Sequence, residues 1–322
     1  MSPPALFKYI AKFPKIMELY LKGSNLIGRK EWENLISSME TPFDSLETNK
    51  ERAKRHLSQE IIKAVEKRTH GLDHFGILFS GGVDSTLLAL LCKKQNFNFT
   101  CYSVGIESSQ DLDYAQQIAK KHSLNLKFKI LSLDEVESSV KNTLKILKSD
   151  DMVWASVGSV VYAVLQLARE NGTNIVFSGL GTEEIFAGYQ RHEEAFSTDN
   201  FEALHKECWN GLRSMWTRDL LRDFKIASNF GMEVRTPYMD KNVIESAMSV
   251  HPMYKLDQEQ KKIILREIAE ELGLEKEFAW RKKKAAQYGS NFVKAMDKLA
   301  KRAGFETKKE YLQHMLKSVV QE

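Results

Sequence analysis

Cysteine is scarce in this chain: three residues in 322, Cys92, Cys101 and Cys208, with no two in a Cys-x-x-Cys pair. That spacing excludes a disulfide scaffold, a structural zinc site and an iron–sulfur cluster. Cys92 and Cys101 lie among apolar residues and read as buried spectators. No apolar run approaches the roughly 18 residues of a membrane span, and the segment 87–91 is too short. The Met-Ser-Pro-Pro start does not read as a signal peptide, so cytoplasm is the expected location. Neither Gly-x4-Gly-Lys-Ser/Thr nor Gly-x-Gly-x-x-Gly is present, which excludes the common nucleotide-binding loops. No internal repeat or low-complexity segment is found.

What remains is an ordinary globular composition, 43% hydrophobic and 28% charged, able to bury a core. The length allows one large domain or two. A net charge of +4 tolerates an anionic ligand without pointing to nucleic acid.

The most informative stretch is 75–92. An apolar run (Phe75, Ile77, Leu78, Phe79) is short enough for a buried strand. Ser80-Gly81-Gly82 follows, where glycine permits positive φ and close approach of a ligand. Asp84 and Ser85 then open a helix, as capping residues do. Strand, glycine turn and helix start together make an anion site, because free N–H groups and the positive helix end converge. The Asp84 carboxylate suits a Mg²⁺ ion bridging phosphates.

Along the rest of the chain, residues 5–22 read as one or two amphipathic helices interrupted at Pro14. Residues 23–52 read as loop with short helical stretches. Residues 1–50 are therefore expected to form an N-terminal helical extension, and 51–322 the main domain. A helix is expected over 50–68, capped by Thr48 or Asn49. Strands at 98–104, 126–130 and 175–177 alternate with helices over 84–95, 110–122, 133–147 and 155–170. That alternation implies an α/β fold with a parallel sheet. Ligands of such sheets bind beyond the carboxyl ends of the strands, here at 80–82, 104–105 and 178–184. From about 190 onward the pattern is mainly helical.

Three further stretches carry possible chemistry. Ser178-Gly179-Leu180-Gly181-Thr182-Glu183-Glu184 sets two carboxylates at a helix start. Adjacent helical residues diverge by about 100°, so one acid can face the phosphate loop while the other is structural. Gly231-Met-Glu233-Val-Arg235-Thr-Pro237-Tyr-Met-Asp240 reads as a turn holding a Glu–Arg pair. Trp280-Arg281-Lys282-Lys283-Lys284, followed by Gln287-Tyr288-Gly289, is either a solvated charge run or a lysine poised for a pyrophosphate.

Taken in order, these stretches resemble the synthetase domain of the asparagine synthetase family, which includes β-lactam-forming synthetases. The family has Ser-Gly-Gly-x-Asp-Ser, Ser-Gly-Glu-Gly-x-Asp-Glu-x-x-x-Gly-Tyr and Gly-x-Glu-x-Arg-x-Pro-x-x-Asp. Lys-x-x-Leu-Arg follows, matched by Lys262, Leu265 and Arg266, and then a Trp-Arg-x-Lys stretch. The resemblance covers roughly residues 50–293. It implies the adenine nucleotide α-hydrolase-like (HUP-type, PP-loop) fold with a helical C-terminal part. It also implies an ATP- and Mg²⁺-dependent, AMP-forming ligase that adenylates a carboxylate, aspartate or similar, and passes it to an amine. Ser80, Gly81, Gly82, Asp84 and Ser85 would hold the pyrophosphate of ATP. Phe79 and Val104 would line the adenosine pocket, and Ser178 and Gly179 would contact the nucleotide. Asp84 and Glu183 would bind Mg²⁺, and Lys283 would stabilise the adenylation transition state.

Three departures from the family stand out. Leu180 replaces a Glu near the acyl centre that is linked to the amine half-reaction, which puts aspartate amidation in doubt. Glu183 replaces Asp, one methylene longer but still a hard oxygen ligand. The glutaminase domain, which begins with Cys after Met removal, is not matched by Ser2 and the short N-terminal stretch. The amine would then come from free ammonia, a separate glutaminase or other donor protein, or be a different amine. Two other readings are an ATP pyrophosphatase adenylating another substrate such as tRNA, and a non-catalytic ATP-binding module. The absence of a cysteine pair and of a basic aromatic patch weighs against tRNA thiolation.

Overall fold

A computed structural model of the protein describes residues 18–196, 200–282 and 284–321. The helices expected over 5–22 lie outside the described residues as far as 17, and their remaining end is not helical. Instead Leu21–Lys22 (β1) pairs antiparallel with Asn25–Leu26 (β2). Arg29–Ser38 (α1) is a helix of 10 residues in the stretch read as loop with short helical stretches. Tyr20, Ile27, Trp32, Ile36 and Met39 sit in the same apolar cluster as the main domain. Trp32 donates its indole N–H to the Leu212 carbonyl at 2.9 Å. Glu18 accepts from Arg68 at 2.8 and 3.0 Å and from the Thr236 hydroxyl at 3.1 Å, which ties the segment down further.

Lys50–Thr69 (α2) starts at Asn49, whose side chain accepts from the Arg52 N–H, as the sequence suggests. Then follow Phe75–Leu78 (β3), Val83–Lys94 (α3), Phe99–Gly105 (β4), Gln110–Lys121 (α4), Leu126–Ile130 (β5), Leu133–Leu147 (α5), Met152–Glu170 (α6) and Ile175–Phe177 (β6). Beyond them come Thr182–Ile185 (α7), Gln190–Phe196 (α8), Phe201–Met215 (α9), a π-helical turn Trp216–Leu220 and Leu221–Asn229 (α10). Glu233–Arg235 (β7), Lys241–Ser249 (α11), Ile263–Glu271 (α12), Lys276–Ala279 (α13), Ala286–Gly289 (α14), Phe292–Arg302 (α15) and Lys308–Gln321 (α16) complete the described chain.

The five strands form one parallel sheet in the order β5-β4-β3-β6-β7, the α/β architecture expected. Every residue of β4 is buried, as befits a central strand covered on both faces. Its side chains alternate between two cores. Phe99 and Cys101 join the cluster under α2 and α3, and Tyr102 and Val104 the cluster under α5, α6 and α15. The segment read as a turn is in fact the edge strand β7, paired in register with β6 from Ile175 and Glu233 to Phe177 and Arg235. Its Glu–Arg pair is real: Arg235 Nε donates to Glu233 Oε1 at 2.7 Å. Helix α6 carries no charge before Arg169 and has the length of a membrane span, contrary to the expectation of only short apolar runs. In this fold it is a core helix whose small residues Ala155, Gly158, Ser159 and Ala163 are buried.

The topology locates a ligand site. From β3 the chain moves outward to β4 and β5, then returns to β6 on the other side of β3. A strand order that reverses in this way opens a crevice at the carboxyl ends of the two strands, here β3 and β6. The loops leaving those two strands are the ones the sequence singled out.

Candidate active site

Phe79 follows the last residue of β3 and is buried, its N–H donating to the Tyr102 carbonyl at 2.8 Å. Gly81 then takes φ +64°, and α4 crosses so close that a Cβ there would lie 2.8 Å from the Ala115 nitrogen. Only glycine meets both demands. The helix cap differs from expectation. Gly82 is the N-cap of α3 and makes no side-chain cap bond, so Asp84 and Ser85 lie within the first turn. Their side chains turn to the loop and the cleft instead. Ser85 Oγ accepts from the Ser80 N–H at 3.3 Å, and Ser80 Oγ from the Gly82 N–H at 3.4 Å. These bonds are long, so the loop N–H groups remain available to a stronger acceptor.

The second loop closes on the first. A Cβ at Gly179 would stand 3.0 Å from the Asp84 Cβ, so the loop after β6 touches the start of α3. Gly181 at φ +97° abuts Met239, and Tyr238 donates its hydroxyl to the Asp84 carbonyl at 2.9 Å. The stretch 231–240 thereby buttresses both loops.

Where the loops meet, two acids share one cation. Lys262 Nζ donates to both Asp84 carboxylate oxygens, at 2.9 and 3.0 Å, to Glu183 Oε1 at 2.7 Å and to the Thr182 hydroxyl at 3.2 Å. The lysine is 5% exposed and sits at φ +59°, the N-cap of α12. Burial pulls its pKa down, but the Asp84 and Glu183 carboxylates outweigh that and hold it above the usual lysine value. Gly188 makes room for this contact, since a side chain there would collide with both Glu183 and Lys262.

Glu184 faces the other way, as the helical divergence of adjacent residues requires. It is 1% exposed and pairs with Arg218, which the π-helical turn presents. Burial raises its pKa to about 7, with Asp219 and Glu183 adding to the rise and Arg218 opposing it. Arg218 also binds Asp219 at 2.7 Å and lies over the Tyr189 ring.

The remaining expected residues fall as follows. Val104 is buried near the end of β4, the strand beside β3, and Ser178 and Leu180 are half-buried in the loop after β6. The Ser178 N–H donates to the Arg235 carbonyl at 2.9 Å, and its hydroxyl accepts from the Leu180 N–H at 3.3 Å. Lys283 lies outside the described residues. Its neighbour Arg281 reaches the phosphate loop, donating to the Ser80 carbonyl at 3.3 Å and to Asp111 at 3.0 Å. Reading by sequence gave no role to Lys262, Arg281, Asp111 or Tyr238. Lys262 and Arg281 stood inside quoted motifs. Asp111 carried no signal beyond an acid in the first turn of a helix.

The family model for asparagine synthase matches residues 56–204 and 196–319. The chain belongs to the asparagine synthase family. A glutamine-hydrolysing asparagine synthetase homologue of Methanocaldococcus jannaschii is 34% identical over 310 residues, 86% of this chain and 57% of that protein. Asparagine synthetase B of Escherichia coli is 26% identical over 256 residues, 74% of this chain and 45% of that protein. The chain thus spans about half the length of these relatives. Among solved structures, the NH3-dependent NAD synthetase of Campylobacter jejuni is 12% identical, with a TM-score of 0.38, covering 83% of this chain and 95% of that one. The family match covers both loops that meet in the crevice, 80–85 and 178–184.

Proposed function

We propose that this asparagine synthase family member is an ATP-dependent, AMP-forming amide ligase. The observation that carries the reading is the convergence of Asp84 and Glu183, 99 residues apart in sequence, on one buried cation beside a glycine loop and helix N-terminus. The loop of residues 80–85 would receive the phosphates on its N–H groups and serine hydroxyls. Phe79 and Val104 would bound the adenosine side, and Ser178 and Gly179 would face the nucleotide.

The acid pair also fits Mg²⁺. Its carboxylate oxygens lie within 3.0 Å of a single cationic atom, so the cluster already favours positive charge at that point. Among the described residues no set of three or more His, Cys, Asp or Glu side chains could hold a metal ion. A Mg²⁺ held by Asp84 and Glu183 would share its shell with the phosphates of ATP, as this ion usually does. Bound there, it would neutralise charge on the departing pyrophosphate. The ammonium of Lys262, freed from one acid, would lie at the same phosphates, and Lys283 would add a second cation. Positioning the carboxylate in line with the α-phosphate and neutralising developing charge are what this chain's residues contribute.

Leu180 marks the acyl side. An apolar side chain one residue from the Asp84 contact offers nothing to a charged substrate group, which supports an acceptor other than aspartate. The amine is ammonia or another amine, supplied free or by a partner protein. The test is pyrophosphate release from ATP across a panel of carboxylates, with and without ammonium. Release that depends on one acid is expected. No release with any acid, despite ATP binding, overturns the reading.

A further inference from the structure

The Lys262 ammonium is surrounded as a metal ion is. Its nitrogen lies 2.9 and 3.0 Å from the two Asp84 carboxylate oxygens, 2.7 Å from Glu183 Oε1 and 3.2 Å from the Thr182 hydroxyl. Oxygens of carboxylates and hydroxyls gathered on one cationic point are also what a hard divalent ion asks for. Lys262 and such an ion therefore compete for the same two acids.

The lysine is aimed there by a fixed backbone. Lys262 takes φ +59°, a region that residues other than glycine adopt rarely. Such a conformation persists where its surroundings hold it. Here Ile263 donates its N–H to the Lys255 carbonyl and Arg266 its N–H to the Lys262 carbonyl, each at 3.0 Å. Arg266 Nε donates to the Lys261 carbonyl at 2.6 Å, and Leu256 and Lys261 form an antiparallel bridge. The main chain is a pivot, and the four-carbon stem is the part free to swing.

Charge decides when it swings. Counted alone, the two carboxylates and the ammonium sum to one negative charge. A bare divalent ion added to them makes that one positive, in a cluster where Lys262 is 5% and Asp84 7% exposed. Burial disfavours such an excess. Arg266, 8% exposed, adds a cation close enough to feel both acids, and its guanidinium donates to the carbonyls of Lys261, Ala279 and Arg281. The outer phosphates of ATP reverse the balance, because their negative charge lets ion and ammonium stand together.

We propose that Lys262 is a gate on metal binding: its ammonium competes with a bare divalent ion for Asp84 and Glu183, and gives the acids up when the ion comes with ATP, whose phosphates then receive it. This rests on the ATP-site reading above and adds an order to it, in which nucleotide and metal enter as one ligand.

Manganese binding without nucleotide, followed by the electron paramagnetic resonance of the free ion, reads the gate directly. Wild-type protein is expected to bind Mn²⁺ weakly, and Lys262→Met about tenfold more tightly. ATP titrated calorimetrically in EDTA is expected to move the other way, about tenfold weaker in the variant, because the ammonium that meets the phosphates is gone. A lysine with a merely structural role gives no such opposition, since a loosened site loses both ligands. Lys262→Gln, which keeps a hydrogen-bond donor, is expected to shift both affinities in the same directions should Lys262→Met fold poorly. Adding Asp84→Asn to Lys262→Met is expected to remove the Mn²⁺ gain. Tight Mn²⁺ binding by the wild type alone, or weakening of both ligands in both variants, overturns the proposal. Wild-type protein that binds no ATP, with or without metal, removes the ATP-site reading itself. Wild-type protein that binds ATP with Mg²⁺, while neither variant gains Mn²⁺ affinity, removes this inference alone.

Discussion

Lys262 and Lys255 stand seven positions apart in sequence and are both buried, at 5% and 0% exposure. Lys262 is surrounded by oxygen: two carboxylates and a hydroxyl within 3.2 Å. Lys255 has the Met248 sulfur at 3.6 Å as its hydrogen-bond acceptor and the buried Cys208 thiol nearby. Burial pushes the Lys255 pKa down to about 8, while the acids around Lys262 reverse the same pressure. Burial alone makes an ammonium easier to deprotonate, and paired acids reverse that. The fold could bury a lysine without acids, as it does at 255. Two acids brought from distant loops to one cation are therefore better explained by a ligand that needs a cation there than by packing.

The sharpest way to break this contrast is Asp84→Ala. It removes one of the two shared acids and is expected to lower pyrophosphate formation by on the order of 10³-fold while circular dichroism shows the fold retained. An active Asp84→Ala enzyme would refute the assignment. Lys262→Met should come next in effect on stability. It leaves the buried Asp84 and the half-buried Glu183 facing each other, at a cost of about 2–3 kcal/mol in denaturant titration, less than for a fully buried pair because Glu183 stays partly hydrated. Mg²⁺ should then restore more stability to this variant than to the wild type, because the metal replaces the lost ammonium.

Lys255→Met should act in the opposite direction. Unfolded lysine titrates near 10.5 and folded Lys255 near 8, so between those values the unfolded state binds more protons and stability rises with pH. The variant should be more stable than the wild type at pH 7, by on the order of 3 kcal/mol. The gap should close as pH rises through 8 towards 10. Lys262 runs the other way: its raised pKa gives stability that is fully present below the ordinary lysine value and is lost above it. The smallest structural effect should come from Leu180→Glu. It is half-exposed, so stability should change little, but pyrophosphate release with aspartate and ammonium should increase if Leu180 sets the acceptor.

The parts of this site that could be read from sequence are those made locally. The run from Phe75 to Thr86 encodes strand, glycine turn and helix within a dozen residues, and the loop at 178–184 repeats the pattern. Each consequently announced itself before its partner was known. The Glu183 and Glu184 split followed from helical geometry alone. What failed to show was decided by tertiary pairing. Glu233–Arg235 is three residues long and two of the three are charged, so only its pairing with β6 makes it a strand. Asp84 and Ser85 look like caps, but the cleft draws their side chains away from the helix end. Lys262 meets Asp84 across 178 residues, and Asp111 meets Arg281 across 170, distances over which spacing carries no information.

The central claim is that the Asp84–Lys262–Glu183 cluster serves cleavage of ATP at the α-phosphate. Phosphorus NMR of the products, with ATP, Mg²⁺, ammonium and the carboxylate panel, tests it most directly. The expected result is AMP and pyrophosphate in equal amounts, dependent on a carboxylate. ADP and phosphate, or no cleavage by protein that binds ATP, would contradict it.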